Sequence, residues 1–196
     1  MSAPRVGGVL LAAGKGRRFG SDKRFALTGD GQTLLARSAA VLASAVDACL
    51  LVVGRDDDPD AFAASLPGWS VVRAADSASG MGASLAAAVR AVPADWDGCL
   101  VALADKAFVR PETVLAVRRA LAEEIVVPCH RGEWGHPVGF PRRLFPALSA
   151  LSGDAGARQL IVSEGLRCRF LELPDPGIVL DVDTPEALLT IASQLS

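Results

Sequence analysis

Several common protein classes are excluded by what the sequence lacks. No stretch approaches the roughly 18 consecutive apolar residues that a membrane helix needs. There is no basic excess: 20 Lys and Arg stand against 22 Asp and Glu, a formal charge of -2. That argues against a globally basic nucleic-acid binder, though not against a local basic patch. The four cysteines, Cys49, Cys99, Cys129 and Cys168, lie far apart and form no C-x2-C pair. A zinc site and a disulfide-stapled secreted fold are therefore both disfavoured. Cys49 and Cys99 sit inside apolar runs and read as reduced core thiols. Only two histidines are present, His130 and His136, and with scattered cysteines they build neither a triad nor a metal set. Internal repeats, low-complexity tracts and interdomain linkers are absent.

What is there suits one globular domain over residues 1–196. The chain has 196 residues, 51% apolar and 21% charged, enough for a well-buried core. Arg5 and the apolar run Val6–Gly14 resemble a short signal peptide. The run is brief, carries glycines and leads into a basic segment, so it reads as the buried first strand of a cytoplasmic protein. Further strand-like runs are Ala48–Val53, Trp69–Arg73, Gly98–Ala104, Ile125–Cys129, Pro137–Phe140 and, more weakly, Arg167–Leu173. Several are continuously apolar, as strands covered on both faces are. Helical periodicity falls near 33–46, 59–66, 83–92, 111–123, 142–150, 155–164 and 185–195. Asp58-Pro59 and Thr184-Pro185 each place a capping side chain before a proline at the first helical position. The alternation predicts an α/β fold: a three-layer, doubly wound, mainly parallel sheet with helices on both faces. The turn-like Arg131-Gly132-Glu133-Trp134-Gly135 predicts a small antiparallel excursion in the second half.

Ligands of open α/β sheets bind at the carboxyl ends of strands, and the first strand ends in Leu11-Ala12-Ala13-Gly14-Lys15-Gly16-Arg17-Arg18-Phe19-Gly20-Ser21-Asp22-Lys23. Small residues let backbone N–H groups approach an anion closely. Residues 15–24 carry Lys15, Arg17, Arg18, Lys23 and Arg24 against the single acid Asp22. That concentration reads as a phosphate site, or as a tight turn with a solvated basic face. A P-loop is excluded, since no Gly-Lys-Ser/Thr ending follows. The dinucleotide fingerprint fails because Phe19 stands where its third glycine belongs.

The pattern Leu-Ala-Ala-Gly-x-Gly-x-Arg-x-Gly-x-x-Lys, here Leu11 to Lys23, resembles the signature of molybdenum cofactor cytidylyltransferase and related nucleotidyltransferases. The resemblance implies a Rossmann-like nucleotidyltransferase fold whose loop wraps the triphosphate of a nucleotide. Leu11, Ala12, Ala13, Gly14, Lys15, Gly16, Arg18 and Lys23 would line it, and Arg18 and Lys23 would neutralise the phosphates. Gly80-Met81-Gly82-Ala83-Ser84-Leu85 is similar to the family's Gly-Met-x-x-Ser-Leu segment, which places Gly82 and Ser84 at the nucleotide. From the residues alone it is a Gly-rich turn before an Ala-rich helix. Residues Ala74 to Ser79 lack the Asn and aromatic that the family carries there.

Val101-Ala102-Leu103-Ala104-Asp105 ends a buried strand in a carboxylate, suited to holding Mg²⁺ beside a phosphate or to capping the next turn. The family reads Leu-Gly-Asp-Met-Pro here, and Asp105 aligns with its metal-binding aspartate. This chain departs with Ala104, Lys106 and Ala107. Lys106 would repel a metal, pair with Asp105, or point to the opposite face. Asp181-Val182-Asp183-Thr184-Pro185-Glu186 is similar to the family's Asp-x-Asp-Thr-Pro-Glu element, making Asp183 the second metal-facing carboxylate with Asp181 behind it. It is equally a good helix start.

Gly135-His136-Pro137-Val138 and Gly153-Asp154-Ala155-Gly156-Ala157-Arg158 resemble family segments at the acceptor. His136 is then acceptor-binding or structural, and Arg158 grips a phosphate or satisfies Asp154. The implied activity is Mg²⁺-dependent transfer of a nucleotide, with Arg18, Lys23 and Asp105 as catalytic groups and Asp105 and Asp183 as metal ligands. The Leu-Ala-Ala-Gly form favours CTP. The partners implied are a nucleoside triphosphate and a small phosphorylated acceptor, foremost the molybdenum pterin. Contact with a molybdoenzyme or its maturation factors follows from the same resemblance, and neither nucleic acid nor membrane is expected. A different acceptor such as a sugar phosphate, or a nucleotide-binding protein without catalysis, is the alternative; a dehydrogenase is a distant third.

Overall fold

The first strand, β1 (Val6–Leu11), is buried at every position because it lies between two parallel neighbours, β2 (Ala48–Val53) and β4 (Gly98–Leu103). The computed structural model describes residues 3–14, 16, 19–154, 156–164 and 167–195. Within them β3 is Ser70–Arg73, β5 Ile125–His130, β6 Glu133–Trp134, β7 Val138–Pro141 and β8 Cys168–Glu172. The helices are α1 (Leu34–Ala43), α2 (Pro59–Ser65), α3 (Met81–Ala91), α4 (Pro111–Ala120), α5 (Phe145–Ser149), α6 (Ala157–Glu164) and α7 (Pro185–Leu195). The sheet order is β3-β2-β1-β4-β7-β5-β6, with β8 also paired to β5.

Strand alternation sends side chains to two different helical layers. Val9 and Leu11 join Leu85 and Val89 of α3, Leu148 of α5 and Ile161 of α6. Leu10 and Ala12 join Leu35 and Leu42 of α1, Phe62 of α2 and Val117 of α4. Three layers result, as the alternating pattern predicts. A smaller cluster seats α7 through Leu188 and Ile191 against Leu34 and Val182.

The antiparallel excursion is β7, which runs against both β4 and β5. The segment read only as a turn also contains β6: Arg131 and Gly132 turn the chain with φ of 52° and 80°, and Cys129 then pairs with Trp134. Two residues are too few to show a period of two. The predicted caps are present: the Asp58 carboxylate accepts from Asp60 N–H and the Thr184 hydroxyl from Ala187 N–H. Helix 83–92 begins earlier, at Met81, and 33–46 ends earlier, at Ala43. No helix among the described residues is long and apolar enough to cross a membrane.

Trp96 packs its ring directly over Gly7 of β1, where a Cβ would stand 1.9 Å from Trp96 Cζ3. Gly7→Ala is therefore expected to cost about 1–3 kcal/mol by overpacking, seen as a lowered thermal midpoint. An unchanged midpoint would show that Trp96 can move aside.

Candidate active site

At the carboxyl ends of β1 and β4 the chain leaves the sheet in two loops and opens a cleft of about 340 Å³. Leu11, Ala12, Ala13, Gly14, Gly16, Lys23 and Arg24 form one wall; Leu103, Ala104 and Asp105 form another, and Leu34, Ser77, Gly80, Met81 and Ser84 complete it. The Gly-rich loop, the Asp105 loop and the start of α3, separate in sequence, thus share one space. Ser84 is buried one turn into α3. Gly82 gives its N–H to Gly153 O at 2.9 Å and ties α3 to the Gly153-Asp154 turn instead. Lys15 and Arg18, with Arg17, lie outside the described residues.

Lys23 opens a short 3₁₀ turn, Lys23–Phe25, that Asp22 caps. Its stem crosses beneath Gly16, whose φ is 70° and where a Cβ would meet Lys23 Cδ at 2.6 Å. The ammonium ends between two carboxylates, 2.9 Å from Asp105 Oδ2 and 3.0 Å from Asp183 Oδ1. It also donates to Val182 O at 3.1 Å, so all three N–H donors have acceptors. Burial opposes the charge on Lys23, but the hydrogen bonds and charges of Asp105 and Asp183 outweigh it and hold its pKa above the ordinary lysine value. Asp183 comes within reach because Val182 N–H bonds to Asp105 O, at 3.2 Å.

Asp105 Oδ1, the other oxygen, is buried and has no hydrogen-bond partner among the described residues. A buried carboxylate oxygen without a donor is costly, and a cation suits it. Among the described residues no three His, Cys, Asp or Glu side chains gather as a metal set. Two carboxylates are nonetheless what Mg²⁺ commonly takes from a protein when water and substrate phosphates supply the rest. The donor set therefore fits a magnesium–nucleotide complex.

The neighbouring Lys106 points away from Asp105. It is buried and pairs with Asp181 Oδ1 at 2.9 Å, so its charge is compensated on the other side of the chain. Of the three alternatives for this residue, the opposite face is the one observed.

Arg24 is the residue that sequence reasoning underrated. In the sequence it is one of the loop's basic charges, yet it is only 2% exposed and wholly committed to protein partners. Its guanidinium forks onto Asp57, with Nη1 at 2.6 Å from Oδ2 and Nη2 at 2.9 Å from Oδ1. It also pairs with Asp22 and lies 4.8 Å over the Phe62 ring. Both described cations of the 15–24 segment are thus matched by carboxylates. No spacing rule links Arg24 to Asp57 across β2, so no sequence signal could have found the pair.

Beside the cleft, and sharing Leu11, Met81 and Leu103 with it, is a second cavity of about 350 Å³ that contains both His136 and Arg158. Its walls are mainly apolar: Leu85, Val127, Trp134, Val138, Phe140 and Ile161. His136 Nδ1 donates to Val101 O at 3.2 Å, which leaves Nε2 as acceptor in the neutral ring. Burial, with the nearby Lys106 charge, pushes its pKa below the ordinary value despite the opposing Val101 bond and carboxylates. Arg158 does not pair with Asp154; its guanidinium lies 4.9 Å over the Trp134 ring.

Comparison with known proteins places this architecture. The model of the MobA-like NTP transferase domain matches residues 8–168. The purine catabolism protein PucB of Bacillus subtilis strain 168 is 32% identical, over 95% of each chain. The nicotine blue oxidoreductase of Paenarthrobacter nicotinovorans is 30% identical, over 94% of this chain and 95% of that protein. Among solved structures, the manganese complex of Rv0371C from Mycobacterium tuberculosis H37Rv superposes with a TM-score of 0.80. It is 30% identical and covers 98% of this chain and 100% of that one. A two-carboxylate cleft beneath a Gly-rich loop is thus set in a fold shared along nearly the whole chain, and the chain belongs to the MobA-like NTP transferase family of nucleotidyltransferases.

Proposed function

We propose that the chain transfers CMP from CTP to the phosphate of a molybdenum pterin cofactor and releases pyrophosphate. One observation carries the reading: the Lys23 ammonium, Asp105 and Asp183 meet at the cleft that the Gly-rich loop walls. An oxygen of the acceptor phosphate attacks the α-phosphorus. A P–O bond forms there as the bond to the bridging oxygen breaks, and pyrophosphate leaves with the electron pair. The acceptor phosphate is already an oxyanion, so the protein need not remove a proton. Positioning and charge neutralisation are the work required.

Arg18 supplies positive charge to the phosphates, Lys23 joins it once a metal takes over part of its carboxylate partners Asp105 and Asp183, and the N–H groups of the Gly-rich loop supply fixed donors. Mg²⁺ held by Asp105 and Asp183 would neutralise phosphate charge at the reacting end. Leu11 through Gly16, with Ser84 at the start of α3, form the nucleotide side, and Gly82 holds that helix start to the Gly153-Asp154 turn. The adjacent apolar cavity with His136 and Arg158 receives the acceptor. Its shared wall with the cleft supports this division, because an acceptor there abuts the nucleotide. CTP rests on the Leu-Ala-Ala-Gly form of the loop.

Thermal shifts with CTP, GTP, UTP and ATP in the presence of Mg²⁺ test the base, and pyrophosphate release with the molybdenum pterin tests the reaction. Selective stabilisation by CTP is expected, about 2.7 kcal/mol at a ligand concentration a hundred times Kd. Equal shifts with all four would undo the base assignment, and no pyrophosphate with any acceptor would undo the transferase reading. The relative named as an oxidoreductase makes NADH and NADPH the controls. Stabilisation by those dinucleotides alone would favour hydride chemistry instead.

A further inference from the structure

We propose that Arg24 is a positioning residue for the nucleotide: it sets the Ala12–Ala13 peptide so that the first N–H groups of the Gly-rich loop are fixed as donors. The inference rests on the nucleotide reading of the cleft and names a group that the loop signature does not include. Arg24 Nη1 spends a hydrogen bond on Ala12 O, at 2.8 Å, besides its bond to Asp57. Ala12 N–H is held from the other side by Val52 O, at 2.8 Å. The residue leaving β1 is therefore clamped at both its amide and its carbonyl.

A trans peptide is planar, with C=O and the following N–H on opposite sides. With Ala12 O turned to the guanidinium, Ala13 N–H is turned away from it. The next carbonyl is placed by close packing. Ala13 O packs against Gly54, where a Cβ would stand only 3.0 Å from it, so Gly14 N–H is directed away from β2. Neither Ala13 nor Gly14 N–H has an acceptor among the described residues, and both residues line the cleft.

The clamp is itself braced. Asp57 Oδ2 accepts from Gly54 N–H at 2.7 Å as well as from Arg24, so one carboxylate ties the end of β2 to the end of β1. The charge of Arg24 is spent on Asp22 and Asp57, which makes it an organiser of donors rather than a phosphate cation. Donors fixed before binding serve ground state and transition state alike, so their loss raises KM and leaves kcat.

Arg24→Met is expected to raise the CTP dissociation constant and KM about tenfold with kcat within about threefold. It also takes the guanidinium away from the buried Asp57 carboxylate, and stability falls. Arg24→Met/Asp57→Asn separates the two effects. It removes the carboxylate charge that Arg24 balanced, so the thermal midpoint recovers relative to the single variant, while Ala12 O still lacks the Arg24 donor. CTP affinity measured by calorimetry with Mg²⁺ is expected to stay about tenfold weaker in this double variant. Affinity that returns together with the midpoint would reduce Arg24 to a structural staple and overturn the proposal, as would a fall in kcat at unchanged KM. If the single variant does not fold, the double variant alone decides. A wild-type chain that binds none of the four nucleotides overturns both this inference and the function on which it rests.

Discussion

Asp105→Asn is expected to slow pyrophosphate release about a thousandfold, the scale on which removal of one preorganised electrostatic group acts, and to leave the fold intact. The two side chains are nearly the same size, so packing is preserved. The change falls on charge and on donor pattern. Asp105 Oδ2 accepts from Lys23, and Oδ1 is a buried acceptor that no donor among the described residues reaches. An amide cannot serve both ends. If its NH₂ takes the Oδ1 position, the group there becomes a donor that repels a cation; if it turns round, it confronts the Lys23 ammonium. Affinity for Mn²⁺ in the presence of CTP, read by electron paramagnetic resonance, is expected to fall with the rate. A variant that turns over at the wild-type rate would remove Asp105 from the machinery. A variant that binds metal and nucleotide normally but does not turn over would confine Asp105 to the reacting step.

Much of this site is legible in the sequence because its parts sit at strand ends that local pattern marks. A continuously apolar run closing in Ala12-Ala13-Gly14, and another closing in Asp105, are both strands buried on two faces. In an open sheet their carboxyl ends are where ligands lie. Asp183 was legible for a weaker reason, since its segment is also a helix start, and only the bond from the neighbouring Val182 N–H to Asp105 O sets it beside Lys23. What stayed hidden are contacts between residues far apart in sequence that no period or cap announces. Lys106 reads as a threat to a metal site until its pairing with Asp181 is seen. Arg24 reads as one more phosphate cation until Asp57 claims it. The dense basic segment was real, but charge counting along the chain cannot tell which cations the fold consumes. β6 escaped for a different reason: its two residues pair only because the Arg131-Gly132 turn presses them on β5.

Lys23→Met is the complementary test, because it removes the cation and leaves both carboxylates. Only 9% of the Lys23 side chain is exposed, against 25% for Asp105 and 34% for Asp183. Breaking a fully buried pair costs about 3–5 kcal/mol. Partial exposure of the acids screens some of the repulsion left behind, so a loss of about 2–3 kcal/mol is expected, a midpoint lowered by roughly 4–12 °C for a chain of this size. The pH dependence has a definite sign. The Lys23 pKa is raised above 10.5 in the folded protein, so the folded state holds its proton more tightly than the unfolded chain does. The stabilisation is fully present below pH 10.5 and is lost as pH rises through the folded-state value. Wild type and variant should therefore differ by a constant amount from neutral pH to about pH 10, and the gap should close above that. Denaturant midpoints at a series of pH values measure this. A gap that closes in the acidic range first, with no change above pH 10, would mean that the ammonium is not what balances Asp105 and Asp183. Restoring stability to the variant with Mg²⁺ alone would show instead that the two carboxylates accept a divalent cation once Lys23 no longer stands between them.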